Sequence, residues 1–584
     1  MSNIRLGIDF GTTTTAISIR VGDGLAEALP IGKNREMYMP SLVYVAPGLG
    51  LLDDRITVGE DAARSAATGY VVHSVKRCLG CHGELCQENR ANGCLWCMGD
   101  GLIHLAGSGD AIPPENLAFY IVQEALSRAI RVTREIYDID LQREPFSAYP
   151  CNLGCGAAFR KDQRRLLLER VAHKLGLSQL TWDNIVEEPI LAGFAFSRFE
   201  PELQGRVLIY DFGGGSFDAA ILDIRRNGTA QTITVLATAG ENWLGGDDID
   251  ALIRGKFLSD IAVAAGISEP EVIERLEPID IWSLRDRVKA IKEMLTSSEE
   301  ASDAILSTAF GAIELNLTRA ELEELISKTP VRGELLLTRS LDAVQRACRL
   351  VHALDLSKLS ELLDSAAVTA WSLQDAAETL NRVVLVGGVT KMPLIRRRLA
   401  EVFGLDRLES ENVIEPVSAV AIGAGYPHEP QHYSLAYPPI EFLLRLKKTH
   451  HGAHEDIEVL EAYQLYNFHE LWATNTLPMH RAEIIELQQD YAVCQLGYRR
   501  MGDTKWKWHS IGKMEAGDWR FNVGLDGTVS AAHNNGARRI LFTHPTAHPA
   551  QVAIGIARKA RANVRNIAAT DTMLKNVGKD YFES

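Results

Sequence analysis

Three glycine-rich turns, each placed after an apolar strand-like run, carry the chemistry of this sequence. They are Gly7-Ile8-Asp9-Phe10-Gly11-Thr12-Thr13-Thr14, Asp211-Phe212-Gly213-Gly214-Gly215-Ser216-Phe217-Asp218 and Val386-Gly387-Gly388-Val389-Thr390-Lys391. Glycine alone marks only a turn. In the first two, however, an aspartate precedes the turn and hydroxyls follow it. Glycine lets backbone N–H groups close on phosphate oxygens, and carboxylates such as Asp9 and Asp211 hold the hydrated magnesium that accompanies a nucleotide tail. The pattern is that of a magnesium–phosphate site assembled from two turns.

A second constellation lies in the cysteines, of which there are nine. Cys78-Leu79-Gly80-Cys81-His82-Gly83 and Cys94-Leu95-Trp96-Cys97-Met98-Gly99 are paired Cys-x-x-Cys-x-Gly knuckles, with Cys86 between them. In each, glycine frees backbone N–H groups to turn toward sulfur, and four thiolates at this spacing fit tetrahedral zinc in a zinc-ribbon-like insertion over 78–99. A redox switch or an iron–sulfur cluster is the competing reading. Cys151 and Cys155, in a glycine-containing stretch after Pro150, read as buried structural thiols.

These residues must be held by regular elements. Residues 4–9 and 15–21 read as paired strands around the first turn, and 41–46 as another strand. Residues 113–138 open with Pro113-Pro114-Glu115 and set Leu117, Ile121, Ala125, Leu126, Ala129 and Ile130 on one face, which predicts a helix with proline at its start. A second helix is predicted over 160–176, ended by Gly176. Val207–Tyr210 and Ala219–Ile224 flank the second turn as a hairpin, 247–350 reads as mostly helical, and Val383–Val386 leads through the third turn into a helix from Pro393 to Phe403. Two similar halves follow, with a cleft at the strand ends between two lobes.

The 584 residues exceed one core and predict two to four domains. With 46% apolar and 23% charged residues the composition is ordinary for a globular protein, and a net charge of −15 argues against a general nucleic-acid scaffold. No apolar run is long enough to span a bilayer. The start, Met-Ser-Asn-Ile-Arg-Leu-Gly-Ile-Asp, enters a strand directly with no signal peptide, so a cytoplasmic protein is expected.

Residues 1–426 resemble the nucleotide-binding domain of the seventy-kilodalton heat-shock (DnaK-like) chaperones, within the actin and sugar-kinase superfamily. Both phosphate turns and the segment Val386 to Pro393 carry the likeness. So do Val75-Lys76-Arg77-Cys78-Leu79-Gly80, Glu187-Glu188-Pro189-Ile190-Leu191-Ala192-Gly193 and Leu244-Gly245-Gly246-Asp247-Asp248. The resemblance implies an α/β fold: a two-lobed actin-like (ribonuclease-H-like) ATPase domain, then a mostly β substrate-binding-like domain. It implies ATP/ADP and magnesium as ligands. Asp9 and Asp211 would bind magnesium through water, while Gly11, Thr12, Thr13, Gly213, Gly214, Gly215 and Ser216 would cradle the phosphates. Lys76 would face the γ-phosphate. Glu188 and Asp218 would orient the attacking water. Gly245 and Gly246 would approach from the second lobe, Lys292 and Thr296 would clamp adenosine, and Gly387 and Gly388 would flank base and ribose.

The sequence departs from that family in several places. Its adenosine motif has Val389 and Lys391 for serine and arginine, and arginine to lysine removes a planar surface that stacks on a purine. Lys289 and Glu293 reverse the family's charges on the adenosine helix, and Val417-Ser418 replaces an acidic pair. The cysteine insertion has no counterpart, and the C-terminal region is shortened. Phosphate chemistry is therefore expected intact, with base and ribose recognition loosened.

Prolines 427, 430, 438 and 439 mark a linker over 427–439. Residues 440–545 read as mostly β, and Arg520 to Ala531 resembles the last hairpin of the family's peptide-binding β-sandwich, with an Asp-Gly turn. Residues 546–584 read as a short helical tail, with a basic helix at 551–568. The expected function is an ATP-dependent chaperone with slow hydrolysis, gripping an unfolded or dedicated client and served by a J-domain co-chaperone and an exchange factor. The alternative is an actin-like regulatory ATPase or scaffold for one dedicated protein. Sugar kinase activity ranks third, for want of a sugar-site signature.

Overall fold

The computed structural model describes residues 4–48, 51–66, 70–81, 100–105, 110–227, 230–354, 373–408, 414–427, 440–449, 453–462, 479–524 and 528–543. It is a mixed α/β protein with several sheets. Its contacts divide it into two units: one made of residues 1–233, 239–344 and 377–428, the other of 234–238, 345–376 and 429–584. Among the described residues no helix is long and apolar enough to cross a membrane.

In the first unit two sheets repeat one motif. Strands β1 (Ile4–Phe10) and β2 (Thr14–Val21) form an antiparallel hairpin around the first glycine turn. On its other side β1 pairs in parallel with β3 (Cys151–Cys155), and β3 with β4 (Ile185–Glu187). In the second sheet β5 (Gly205–Phe212) and β6 (Phe217–Asn227) form the hairpin around the second turn. There β5 pairs in parallel with β7 (Arg382–Val386), which leads into the third turn. In each sheet the central strand is buried on both faces, which suits the near-continuous apolar runs of parallel neighbours: Leu6, Ile8 and Phe10 in β1, and Val207 to Tyr210 in β5, are fully buried.

Helices cover these sheets. Helix α1 (Pro114–Tyr137) has proline in its first turn and buries Leu117, Ile121, Ala125 and Ala129, as its periodicity predicts. Helix α2 (Glu188–Phe199) buries nearly its whole length, including Gly193, where a Cβ would meet Leu222 Cδ1 at 2.1 Å. Helix α3 (Gly246–Ala265) starts behind the second glycine turn, α4 (Pro278–Met294) packs on it, and α5 (Pro393–Phe403) follows the third turn.

The helix predicted over 160–176 is present as an α-helix at Lys161–Arg165 that continues as a π-helix at Leu166–Ala172, with turns up to Gly176 at φ 85°. One expectation is corrected. The stretch 247–350 is interrupted by an antiparallel hairpin, Glu300–Ser307 with Gly311–Thr318. Alternating burial along Glu300–Ser307 shows why: period two, not 3.6, places Ala301, Ile305 and Ser307 inward.

In the second unit, two antiparallel sheets contribute to one apolar core. The first comprises Ile440–Lys447, His454–Leu460, Tyr491–Arg500 and Lys507–Met514. The second comprises Met479–Leu487, Gly517–Gly524, Thr528–His533 and Arg538–Thr543. Phe442, Leu444 and Leu496 from one meet Trp519, Phe521 and Val529 from the other. The hairpin expected within Arg520–Ala531 is present, Val523 facing Val529, although its Asp-Gly turn lies outside the described residues. Most of the linker region and the predicted basic helix at 551–568 lie outside them as well.

Candidate active site

Strand geometry delivers the two aspartates. Asp9 is the penultimate residue of β1 and Asp211 that of β5, each in the strand before its glycine turn, and both are buried. Asp218 stands directly opposite Asp211 in the hairpin register. Glu188 begins α2 just beyond the end of β4. Lys76 sits in a short 3₁₀ turn, Val75–Cys78, and its Nζ donates to Glu188 Oε1 in a buried ion pair. Asp218 Oδ1 accepts the N–H of Ala157 at 2.7 Å.

The two phosphate turns approach each other closely. A Cβ at Gly214 would lie 2.2 Å from Thr13 Oγ1, and one at Gly215 would lie 2.2 Å from Thr12 Cγ2. Only glycine permits this approach. Gly387, at φ 82°, places its Cα so that a Cβ would lie 2.8 Å from Asp211 Oδ1.

Asp9, Asp211, Glu188 and the glycine turns line a cavity of about 430 Å³, whereas Lys76, paired to Glu188, and Asp218, opposite Asp211, are not among its lining residues. Its lining includes Asp9, Gly11, Thr12, Thr13, Glu188, Asp211 and Gly213–Ser216, together with Tyr38, Lys289, Lys292, Glu293, Thr296, Gly388 and Lys391. Gly246 and Gly387 also line it, whereas Gly245 lies behind the second turn, against the backbone of Gly214 and Gly215. Lys292 Nζ is held by Asp250 Oδ1 at 2.8 Å and by the Gly246 carbonyl at 3.2 Å. Thr296 Oγ1 donates back to the Glu293 carbonyl at 2.7 Å. Lys391 Nζ pairs with Glu415 Oε1 at 2.5 Å.

The electrostatics are those of a cation site. Asp9, Glu188, Asp211 and Asp218 surround one ammonium, that of Lys76. Burial, then the neighbouring Glu188, pushes the carboxyls of Asp9, Asp211 and Asp218 upward; Asp218 and Asp9 add to the rise at Asp211, and Lys76 opposes it at all three. Burial works against the Lys76 charge, but Glu188 and Asp9 hold its pKa above the usual value. Asp9 Oδ1 is buried with no hydrogen-bond partner among the described residues. An unsatisfied carboxylate oxygen amid excess negative charge fits a hard, oxygen-liganded cation such as magnesium.

The cysteine knuckles are not assembled among the described residues. Cys78 and Cys81 are buried, while Cys94 and Cys97 lie outside the described residues. Among the described residues no three His, Cys, Asp or Glu side chains converge on one metal position. Cys151 and Cys155 are fully buried in β3, and burial raises the Cys151 thiol to about 12.

Sequence reasoning gave no role to the polar cluster behind the second turn. Arg77 Nε donates to the Gly215 carbonyl at 2.7 Å, and its Nη2 reaches Asp248 Oδ2 at 3.2 Å. Ser74 Oγ donates to Asp247 Oδ2 at 2.6 Å, and Arg332 pairs with Asp248 Oδ1 at 2.8 Å. Its signal was the Asp247-Asp248 pair after two glycines, but nothing local names partners so distant in the chain.

Residues 153–353 and 356–427 match the family model of the Hsp70 protein. The chaperone protein HscA homolog of Pseudomonas aeruginosa (strain LESB58) is 31% identical over 432 residues, covering 72% of this chain and 57% of that protein. The homolog of Pseudomonas fluorescens (strain SBW25) is 30% identical over 433 residues, and that of Acidovorax ebreus (strain TPSY) 28% over 425, with the same coverage. The chain thus spans less than two thirds of the length of these relatives.

Proposed function

We propose, from the premise that the matched region of this chain belongs to the Hsp70 family, that the protein is an ATP-dependent chaperone. The observation that carries the reading is a cavity in which Asp9, Asp211 and Glu188 meet both glycine turns, with Lys76 paired to Glu188. In this reading residues 1–426 are a two-lobed actin-like ATPase domain. Residues 427–439 are a linker, 440–545 a β-sandwich-like peptide-binding domain and 546–584 a helical tail. The protein works in the cytoplasm, with a J-domain co-chaperone and an exchange factor as partners.

The chemistry follows from charge and position. A magnesium ion bound through water by Asp9 and Asp211 would neutralise phosphate oxygens. The N–H groups of the two glycine turns, with Thr12 and Thr13, cradle the β- and γ-phosphates. Lys76, reached through its pair with the cavity-lining Glu188, would supply a fixed cation for the γ-phosphate, where charge developing in the transition state is stabilised without reorganisation. Asp218, its carboxylate fixed by the Ala157 N–H, and Glu188, fixed by Lys76, orient the attacking water. Lys292, Thr296, Gly387 and Gly388 form the base and ribose end, and Gly245 and Gly246 support the phosphate end. Differential contact with ATP and ADP then biases the grip on a client.

A zinc ion held by Cys78, Cys81, Cys94 and Cys97 belongs to the same reading, supported by the knuckle spacing. It would steady the loop that carries Lys76 two residues earlier in sequence.

The test is fluorescence anisotropy of labelled unfolded peptides before and after magnesium-ATP. Binding that ATP releases is expected. Hydrolysis without any peptide binding would replace the chaperone by an ATPase serving one dedicated partner.

A further inference from the structure

We infer that Arg77 is a positioning residue for phosphate binding, holding the second glycine turn so that its N–H groups face the cavity; this rests on the nucleotide reading above. Three consecutive carbonyls of that turn are engaged from behind. Gly213 O accepts the N–H of Gly246 at 3.1 Å, and Gly214 O accepts the N–H of Asp247 at 2.7 Å. Gly215 O accepts from the Arg77 guanidinium, Nε at 2.7 Å with Nη2 on the same oxygen.

In a trans peptide the C=O and the following N–H point in opposite directions, and among the described residues there are no cis bonds. With the carbonyls of Gly213, Gly214 and Gly215 drawn one way, the N–H groups of Gly214, Gly215 and Ser216 are turned the other way. All three of those residues line the cavity. Successive N–H groups presented together make an anion-binding concavity. Backbone donors fix the first two carbonyls; a side chain fixes only the third.

The guanidinium is itself held fast. Arg77 is buried, its Nη2 lies 3.2 Å from Asp248 Oδ2, and it stacks 4.7 Å from the centre of the Trp243 ring. Asp248 Oδ2 also accepts the Gly245 N–H at 2.7 Å, and Arg332 binds its Oδ1. Without Arg77 a glycine peptide is free to rotate, and the Ser216 N–H is no longer committed to the cavity.

The test is calorimetric binding of magnesium-ADP and of adenosine, which lacks phosphate, to the full chain, to Arg77→Met and to Arg77→Lys. Arg77→Met is expected to weaken magnesium-ADP by about 10- to 100-fold, the scale of one hydrogen bond to a charged group, and to leave adenosine affinity unchanged. Arg77→Lys, which keeps the charge but loses the two-pronged donor, is expected to fall between. Unchanged magnesium-ADP binding in both variants, or equal losses for both ligands, overturns the inference. If Arg77→Met does not fold, Arg77→Lys decides by the same two ligands. A natural protein that binds no magnesium-ADP sinks the nucleotide reading, and this inference with it.

Discussion

Lys76 and Glu188 form a buried ion pair although 112 positions separate them in the chain. The pair stands beside Asp9, Asp211 and Asp218, so the lysine offsets part of a charge that burial makes expensive.

Removing one partner of that pair leaves the other uncompensated. Lys76→Met is expected to reduce ATP turnover by about 100- to 1,000-fold and to destabilise the nucleotide-free protein by about 3 kcal/mol. Adding Glu188→Gln to it recovers part of the stability and none of the turnover. Urea unfolding and a phosphate-release assay on the single and double variants measure both effects.

Asp9 behaves oppositely. Its carboxylate is buried, raised in pKa by burial and by Glu188, and left with an unpartnered oxygen. Asp9→Asn is therefore expected to raise the melting temperature of the nucleotide-free protein while abolishing the stabilisation that magnesium-ADP gives. Thermal denaturation with and without magnesium-ADP checks it; an unchanged ligand shift would remove Asp9 from the site.

Asp247 sets an acid-side dependence. Burial works to raise its pKa, but Arg77, Arg285 and His73 and the Ser74 hydroxyl hold it at about 2, below the ordinary value of 3.8. A depressed carboxylate contributes stability that is full above the unfolded pKa and is lost as pH falls through the folded one. Asp247→Asn should thus cost about 2 kcal/mol at pH 6, with the gap closing between pH 4 and pH 2. Urea unfolding of both proteins across that range is the measurement, and a constant gap would contradict it.

Lys391, which also lines the cavity, is engaged with Glu415. Lys391→Arg supplies a planar cation able to stack on a purine. ADP is expected to bind about 3- to 10-fold tighter, about 1 kcal/mol, with inorganic phosphate unaffected. Equilibrium titration with both ligands decides.

The sequence by itself determined the local parts. Asp9 and Asp211 before glycine turns, the central strands that bear them, and α1 with its proline start and apolar stripe all follow from short-range chemistry, because turn φ values, strand burial and helix periodicity are written in adjacent residues. Residues 300–318 were misread because two short alternating runs lie between longer helical ones, and a wide window averages them away. Tertiary structure alone decided which distant groups meet. The Lys76–Glu188 pair, the closing of Thr12 and Thr13 on Gly215 and Gly214, and the grip of Arg77 on the Gly215 carbonyl depend on how two sheets are packed in one unit. No local pattern encodes such contacts, since a buried charge finds its partner only where the packed elements bring one within reach.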